Sequence, residues 1–283
     1  MKTEPITYSL STFARPDIWQ VRELSEKEYL KYSKNISSLQ RLENNEKLFK
    51  IVELNYFDFK TKIEKTIKNL NNGTNSKEFE NLYLDINRLI LNILSSIRTY
   101  LDHSETRIKR EYGSESEEFL LFKKETSKTY DENFSYRFLY KLRNYAQHCG
   151  LPAGSLSTNA NTTGASLKLT LIKSNLLSNY NSWGITVKQE LINKTEEFDI
   201  IPLIDDKFTL LEEINKNINE LSYRHYKDEA QELMNLLWEA QGKNGTPCII
   251  KTIGSGGKLK LNINWFPYKP ISKITGIQID IIE

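Results

Sequence analysis

The sequence is poor in the residues that usually announce a site. It holds two cysteines and three histidines in 283 residues. Cys149 and Cys248 cannot build a disulfide framework, and neither sits at a zinc-ligand spacing, so no metal site and no cofactor is expected. No apolar run approaches the roughly 18 residues that a membrane span needs. The opening "MKTEPITYSLSTFARPDIW" carries Glu4, Pro5 and Asp17 where a leader or anchor needs an apolar stretch. No membrane contact and a reducing, cytoplasmic setting are the expectation. A surplus of one charge is also missing: Lys+Arg 39 against Asp+Glu 37 leaves +2. That excludes binding nucleic acid by bulk charge, while leaving room for a local basic groove. There is no serine-triad pattern, no paired-carboxylate pattern and no internal repeat. "GSGG", residues 254 to 257, lacks the following helix and Lys–Ser/Thr of a phosphate loop and reads as a hairpin loop.

What is present is a globular composition, 39% hydrophobic and 27% charged, in a chain long enough for one large domain or two modest ones. The first half reads as helices. Leu48, Ile51, Val52, Tyr56, Phe59, Ile63, Ile67 and Leu70 recur at three- and four-residue steps, with Gly73 as a stop. A second helix begins near Ser76 and carries Phe79, Leu82, Ile86, Leu89, Ile93, Ile97 and Leu101 on its stripe, up to Gly113. Ser114 with Glu117 offers a capping box for a third, and Thr129 with Glu132 one for a fourth bearing Phe134, Phe138, Leu142 and Tyr145. Four helices on short connections predict an antiparallel bundle. "PAGSLSTNANTTGAS", residues 152 to 166, reads as a linker.

Beyond it the signals mix. "SLKLTLIKS" alternates like a strand with Leu167, Leu169 and Leu171 on one face. Phe208, Leu211, Ile214, Ile218 and Leu221 mark a helix that continues through Tyr226, Ala230, Leu233 and Leu237. The tail reads as three strands, the last in "ITGIQIDIIE". The predicted fold is therefore mainly α: a bundle over residues 1–152, with its core at 35–152, followed by an α+β module over 153–283. Trp183, Trp238 and Trp265 read as core, and His225 as surface.

One stretch carries chemistry. "KLRNYAQHCGLP" ends a helix at Gly150 and Pro152 and leaves His148 in its last turn. There the negative end of the helix dipole favours imidazolium by up to ~2 kcal/mol. Asn144 lies four residues back on the same face, and Arg143 about 140° round from His148 at 3.6 residues per turn. Such a set suits phosphodiester cleavage without metal. A histidine can take or give a proton, a contribution of roughly 10²–10⁴-fold, while an arginine fork holds the phosphate and its developing charge. Ordinary capping explains the same residues equally simply. Arg98 and His103 repeat the Arg–His separation in mid-helix, where Arg98 and Asp102 form an i,i+4 surface pair.

"YRFLYKLRNYAQHCGLP" resembles the motif helix of the HEPN superfamily, whose ribonucleases carry Arg, a polar residue and, several residues on, His. The matching positions are Arg143, Asn144 and His148, and the resemblance spans roughly residues 35 to 152. It implies a metal-independent endoribonuclease, active as a homodimer with motif helices at the interface, of the toxin or abortive-infection type directed against phage. It also implies RNA as substrate, cleaved to a 2′,3′-cyclic phosphate. Arg98, Asp102, His103, Arg137 and Lys141, with Tyr140, are candidate substrate-binding residues. Some superfamily members lack the motif and only bind. A non-catalytic module sensing a nucleotide or protein, or an antitoxin-like partner, is therefore the alternative, with a structural adaptor as the third. A regulatory protein or phage trigger acting through the C-terminal module is the further partner expected.

Overall fold

The computed structural model describes residues 6–72, 81–161, 164–255 and 258–279. Gly73, Ser76 and Phe79, and the tip of the GSGG loop, lie outside them. The described chain is mainly helical with two antiparallel sheets, one of four strands and one of three. It divides into two compact units, residues 48–219 and residues 1–47 with 220–283. The boundaries between these units fall inside two long helices.

The unit formed by the two ends of the chain centres on a sheet. Strand β1 (Ile6–Ala14) pairs with β2 (Asp17–Glu23) on one side and with β6 (Thr246–Ser255) on the other, and β6 pairs with β7 (Lys258–Trp265). The sequence reading gave the N-terminal residues no strand. Their register against β2 shifts between Leu10 and Ser11, and their other partner, β6, lies more than 200 residues away. Leu10 and Ile249 pack with Ile36, Leu39 and Leu233 to form this unit's core. Trp238 and Trp265, expected inside, are 48% and 40% exposed. A helix over Tyr268–Thr275, stopped by Gly276 in the left-handed region at φ 71°, takes the first two residues of the last expected strand; residues 276–279 form no strand, and the rest of that stretch lies outside the described residues.

Helix α1 (Glu26–Asn71) opens on a capping box. The Ser25 N–H donates to Glu28 Oε2 at 2.8 Å while the Glu28 N–H donates to Ser25 Oγ at 3.2 Å. This pair satisfies two donors that a helix start otherwise leaves orphaned. Hydrogen bonds from Ser25, with Arg22 close by, hold the Glu28 carboxyl down at about 2.

In the other unit α2 (Leu82–Tyr112) runs antiparallel to the second half of α1, with Phe49 against Tyr100 at one end and Lys62 paired to Asp85 at the other. Helix α3 (Glu117–Glu132) starts at Ser116, whose Oγ accepts from the Phe119 N–H. The box predicted at Ser114 is thus replaced by a one-sided cap two residues later. Thr129 does not open α4 (Phe134–His148) but lies inside α3, where its carbonyl accepts from the Asn133 side chain.

Lys123 meets Glu105, Arg98 meets Tyr140, and Ala153 meets Asn87. Along α2 these levels descend in order, so α3 and α4 follow one another as two segments of one arm antiparallel to α2. The fourth member of the helical layer comes from residues 201–219 of α7 (Ile201–Arg224), with Phe208 stacked on Tyr56 at 3.9 Å and Asn215 accepting from Tyr100. An arm that changes helix without reversing direction looks like two antiparallel helices when only lengths and caps are read.

The expected linker contains β3 (Ser155–Asn161), which pairs with β4 (Gly164–Ile172), and β4 pairs with β5 (Glu197–Asp199). Leu167, Leu169 and Leu171 are buried as their alternation predicts. Short helices α5 (Lys173–Asn179) and α6 (Ile185–Ile192) fill the connection, and Trp183 between them is fully enclosed. Helix α7 ends at Arg224, and α8 (Lys227–Glu239) starts anew, so the single helix expected through Leu237 is two.

Candidate functional site

The exit of α4 is held firmly. Asn87, 1% exposed on α2, accepts the Ala153 N–H at 2.8 Å, and the Tyr83 hydroxyl donates to the Ala153 carbonyl at 2.7 Å. The Cys149 N–H closes the last turn on the Tyr145 carbonyl at 2.8 Å. His148 therefore projects from a fixed helix end, exposed, with Asn144 one turn behind it.

Arg143 and Asn144 are half-buried and touch. Arg143 Nη1 donates to Asn144 Oδ1 at 3.4 Å, and Arg143 Nε is enclosed with no hydrogen-bond partner among the described residues. No carboxylate pairs with this guanidinium among the described residues. An enclosed donor without a partner costs about 1–3 kcal/mol, and an unpaired fork is suited to an anion with two acceptor oxygens. Lys141 lies half-buried two turns before His148 on the same side of the helix, and it too has no ion pair among the described residues.

The mid-helix candidates gather elsewhere. Arg98 Nε donates to Asp102 Oδ2 at 2.7 Å, the i,i+4 pair the spacing predicts. The same guanidinium donates to the Tyr140 hydroxyl and lies 4.9 Å from the Tyr140 ring centroid. His103 is exposed on the next position. Tyr140 and His148 are eight residues apart, about 12 Å along the helix. Because α2 is antiparallel, His103 lies beyond Arg98 in the opposite direction. The structure thus keeps Arg98, Asp102 and His103 apart from His148.

Arg137 has a different occupation from the one expected. It is 7% exposed and forks onto Glu190 of α6, with Nε 2.7 Å from Oε2. Its Nη1 donates to the carbonyls of Tyr130 and Asp131, both at 2.9 Å. Four of its five N–H groups are committed to capping the end of α3 and tying α6 to the joint. Glu190 in turn holds the Arg137 guanidinium above its usual range. This arginine builds the joint and has little left for a ligand.

One residue went unread in the sequence. Lys207 is 1% exposed, donates to the Tyr136 carbonyl at 3.1 Å and lies 4.7 Å from the Tyr136 ring centroid. Burial, then the charge of Arg98, pulls its ammonium down to about 7. Burial likewise pushes the Tyr136 phenol well above its usual range, so it stays a hydrogen-bond donor. A signal did exist: Lys207 falls three residues after Ile204 and four before Leu211, in register with the apolar face of α7.

Among the described residues no group of His, Cys, Asp and Glu could hold a metal ion, and no helix is long and apolar enough to cross a membrane. Comparisons of the chain with protein-family models, curated proteins and solved structures return no match.

Proposed function

We propose that the chain is a metal-independent endoribonuclease of the HEPN type, with Arg143, Asn144 and His148 as its working residues. The observation that carries this reading is the Arg143 fork, without an ion pair among the described residues, beside Asn144, which lies one turn from an exposed His148 on an anchored helix end. In the reaction an imidazole takes the 2′-OH proton as that oxygen attacks phosphorus. The P–O5′ bond breaks, and an imidazolium returns a proton to the leaving oxygen. The products are a 2′,3′-cyclic phosphate and a 5′-OH. Arg143 neutralises the charge that builds on the phosphoryl oxygens, and Asn144 steadies the guanidinium. A role as a toxin or in defence against phage belongs to the same proposal.

Cleavage of labelled RNA should proceed in EDTA and stop when the 2′-OH at the cut site is replaced by hydrogen. Strict dependence on Mg²⁺, or full activity on the deoxy-substituted strand, overturns the mechanism.

Each chain supplies one His148, whereas the reaction uses a base and an acid. A two-fold axis across α4 would bring two histidines and two arginine forks into one groove. It would also double the local positive charge of a chain whose total is only +2. A homodimer is expected by light scattering. A protein that stays monomeric at assay concentration while cleaving at full rate excludes the shared groove.

A further inference from the structure

The joint between α3 and α4 opens against α2 as a cavity of about 440 Å³, within the range of small-ligand sites. Buried Phe122 and Tyr136 form its inner side, and half-buried Tyr130 and Tyr140 its rim. The Tyr130 ring stands at 86° to that of Tyr136 and at 90° to that of Tyr140, with centroids 6.5 and 6.0 Å away. Rings set at right angles in this way offer a planar base a face on one side and an edge on another.

The polar lining selects among planar rings. Arg98 uses one N–H on Asp102 and one on Tyr140, so three of its five have no partner among the described residues. The cavity is also lined by the carboxylates of Asp102, Glu105 and Asp131. Asp102 is paired to Arg98 and Glu105 to Lys123, whereas Asp131 has no ion pair among the described residues. With Asp102 and Glu105 each matched by a cation, Asp131 leaves the lining net negative, which disfavours a phosphate, so a base and not the backbone enters. Guanine places acceptors at O6 and N7, which suit an arginine fork, beside the N1–H and N2–H donors, which suit a carboxylate. Adenine turns a lone pair toward the carboxylate, and the pyrimidines offer less of either pattern.

The geometry points to this cavity as a pocket for one guanine base of the RNA strand, packed against the rings of Tyr130, Tyr136 and Tyr140 and read by Arg98 and Asp131. The inference rests on the ribonuclease reading for its ligand class. It gives that site a base preference about 12 Å along α4 from His148. It also assigns Arg98 and Asp102 a role without bringing them to the catalytic end.

The test uses a fluorescent hexadeoxynucleotide of thymidine carrying one central guanine, against the all-thymidine hexamer, with the full chain and with His148→Ala. Neither probe has a 2′-OH, so neither can be cut. The guanine probe should bind about tenfold or more tightly in both proteins, as expected for one good bidentate base contact. Asp131→Asn, an exposed change that leaves folding intact, should shrink that preference to below about threefold. Tyr140→Ala should weaken the guanine probe more than the all-thymidine one. Equal affinity for the two hexamers, or a preference that survives both substitutions, overturns the pocket. A chain that prefers guanine yet cuts no RNA supports the pocket and removes the nuclease. A chain that cuts RNA with no preference at guanine does the reverse.

Discussion

The folded chain should gain stability as the pH rises from about 7 toward 10.5, and Lys207→Met should abolish that gain. Lys207 is enclosed, with a carbonyl, an aromatic ring and the guanidinium of Arg98 as its surroundings, and its amine titrates near 7 in the folded chain. Unfolded, the same amine titrates near 10.5. Between those values the unfolded chain holds a proton that the folded chain has released, so unfolding becomes less favourable as the pH rises. The stabilisation is complete above the unfolded value and is lost as the pH falls through the folded one. Each unit of separation is worth about 1.4 kcal/mol, so the effect amounts to several kcal/mol. Methionine fills a similar elongated volume without a charge. The variant should therefore be the more stable protein at pH 6.5, with the gap closing by pH 10. Denaturant midpoints at pH 6.5, 8 and 9.5 measure this, and wild-type and variant curves that stay parallel contradict it. Such a cost is consistent with a side chain kept for what it positions: Lys207 grips the Tyr136 carbonyl at the floor of the α3–α4 cavity.

The helices were legible because their stripes are local. Ile86, Leu89, Ile93 and Ile97 mark the buried face of α2 from sequence alone, and all four are buried. The end of α4 was legible for the same reason: Gly150 and Pro152 stop the helix where the structure stops it, at His148. What could not be read depends on partners far along the chain. Ser9, Ser11 and Thr12 resemble loop residues until Ile250, Cys248 and Pro247 are set against them. Phe208 looks like the start of a C-terminal module until Phe49 and Tyr56 are found beneath it. Arg137 reads as a free cation on a helix surface, and only the fold supplies Glu190 and the carbonyls of Tyr130 and Asp131. Residue type and spacing single out Arg143, Asn144 and His148 as candidates. The separation of that trio from Arg98 follows from the antiparallel course of α2, which no local pattern encodes.

His148→Ala should lower the rate of RNA cleavage by at least ~10²-fold, the cost of removing a general acid–base group. Folding should be unaffected, because the side chain is exposed and no hydrogen bond of its own is broken among the described residues. Thermal unfolding of the variant should match the parent within about 0.5 kcal/mol, the range for surface substitutions. Arg143→Lys tests the other half of the site. An ammonium keeps the charge but cannot present two parallel N–H bonds to a phosphate, so the rate should fall steeply while binding of uncut RNA weakens far less. His103→Ala is the internal control, since His103 lies on α2 on the far side of Arg98 from His148 and should leave the rate near that of the parent. Single-turnover rates for the three variants, measured at saturating protein, separate binding from chemistry. A dead His103→Ala beside a fully active His148→Ala would move the chemistry to α2 and away from the end of α4. A set of three unimpaired variants would leave the chain a binding module, with the arginine fork holding a ligand it does not cut.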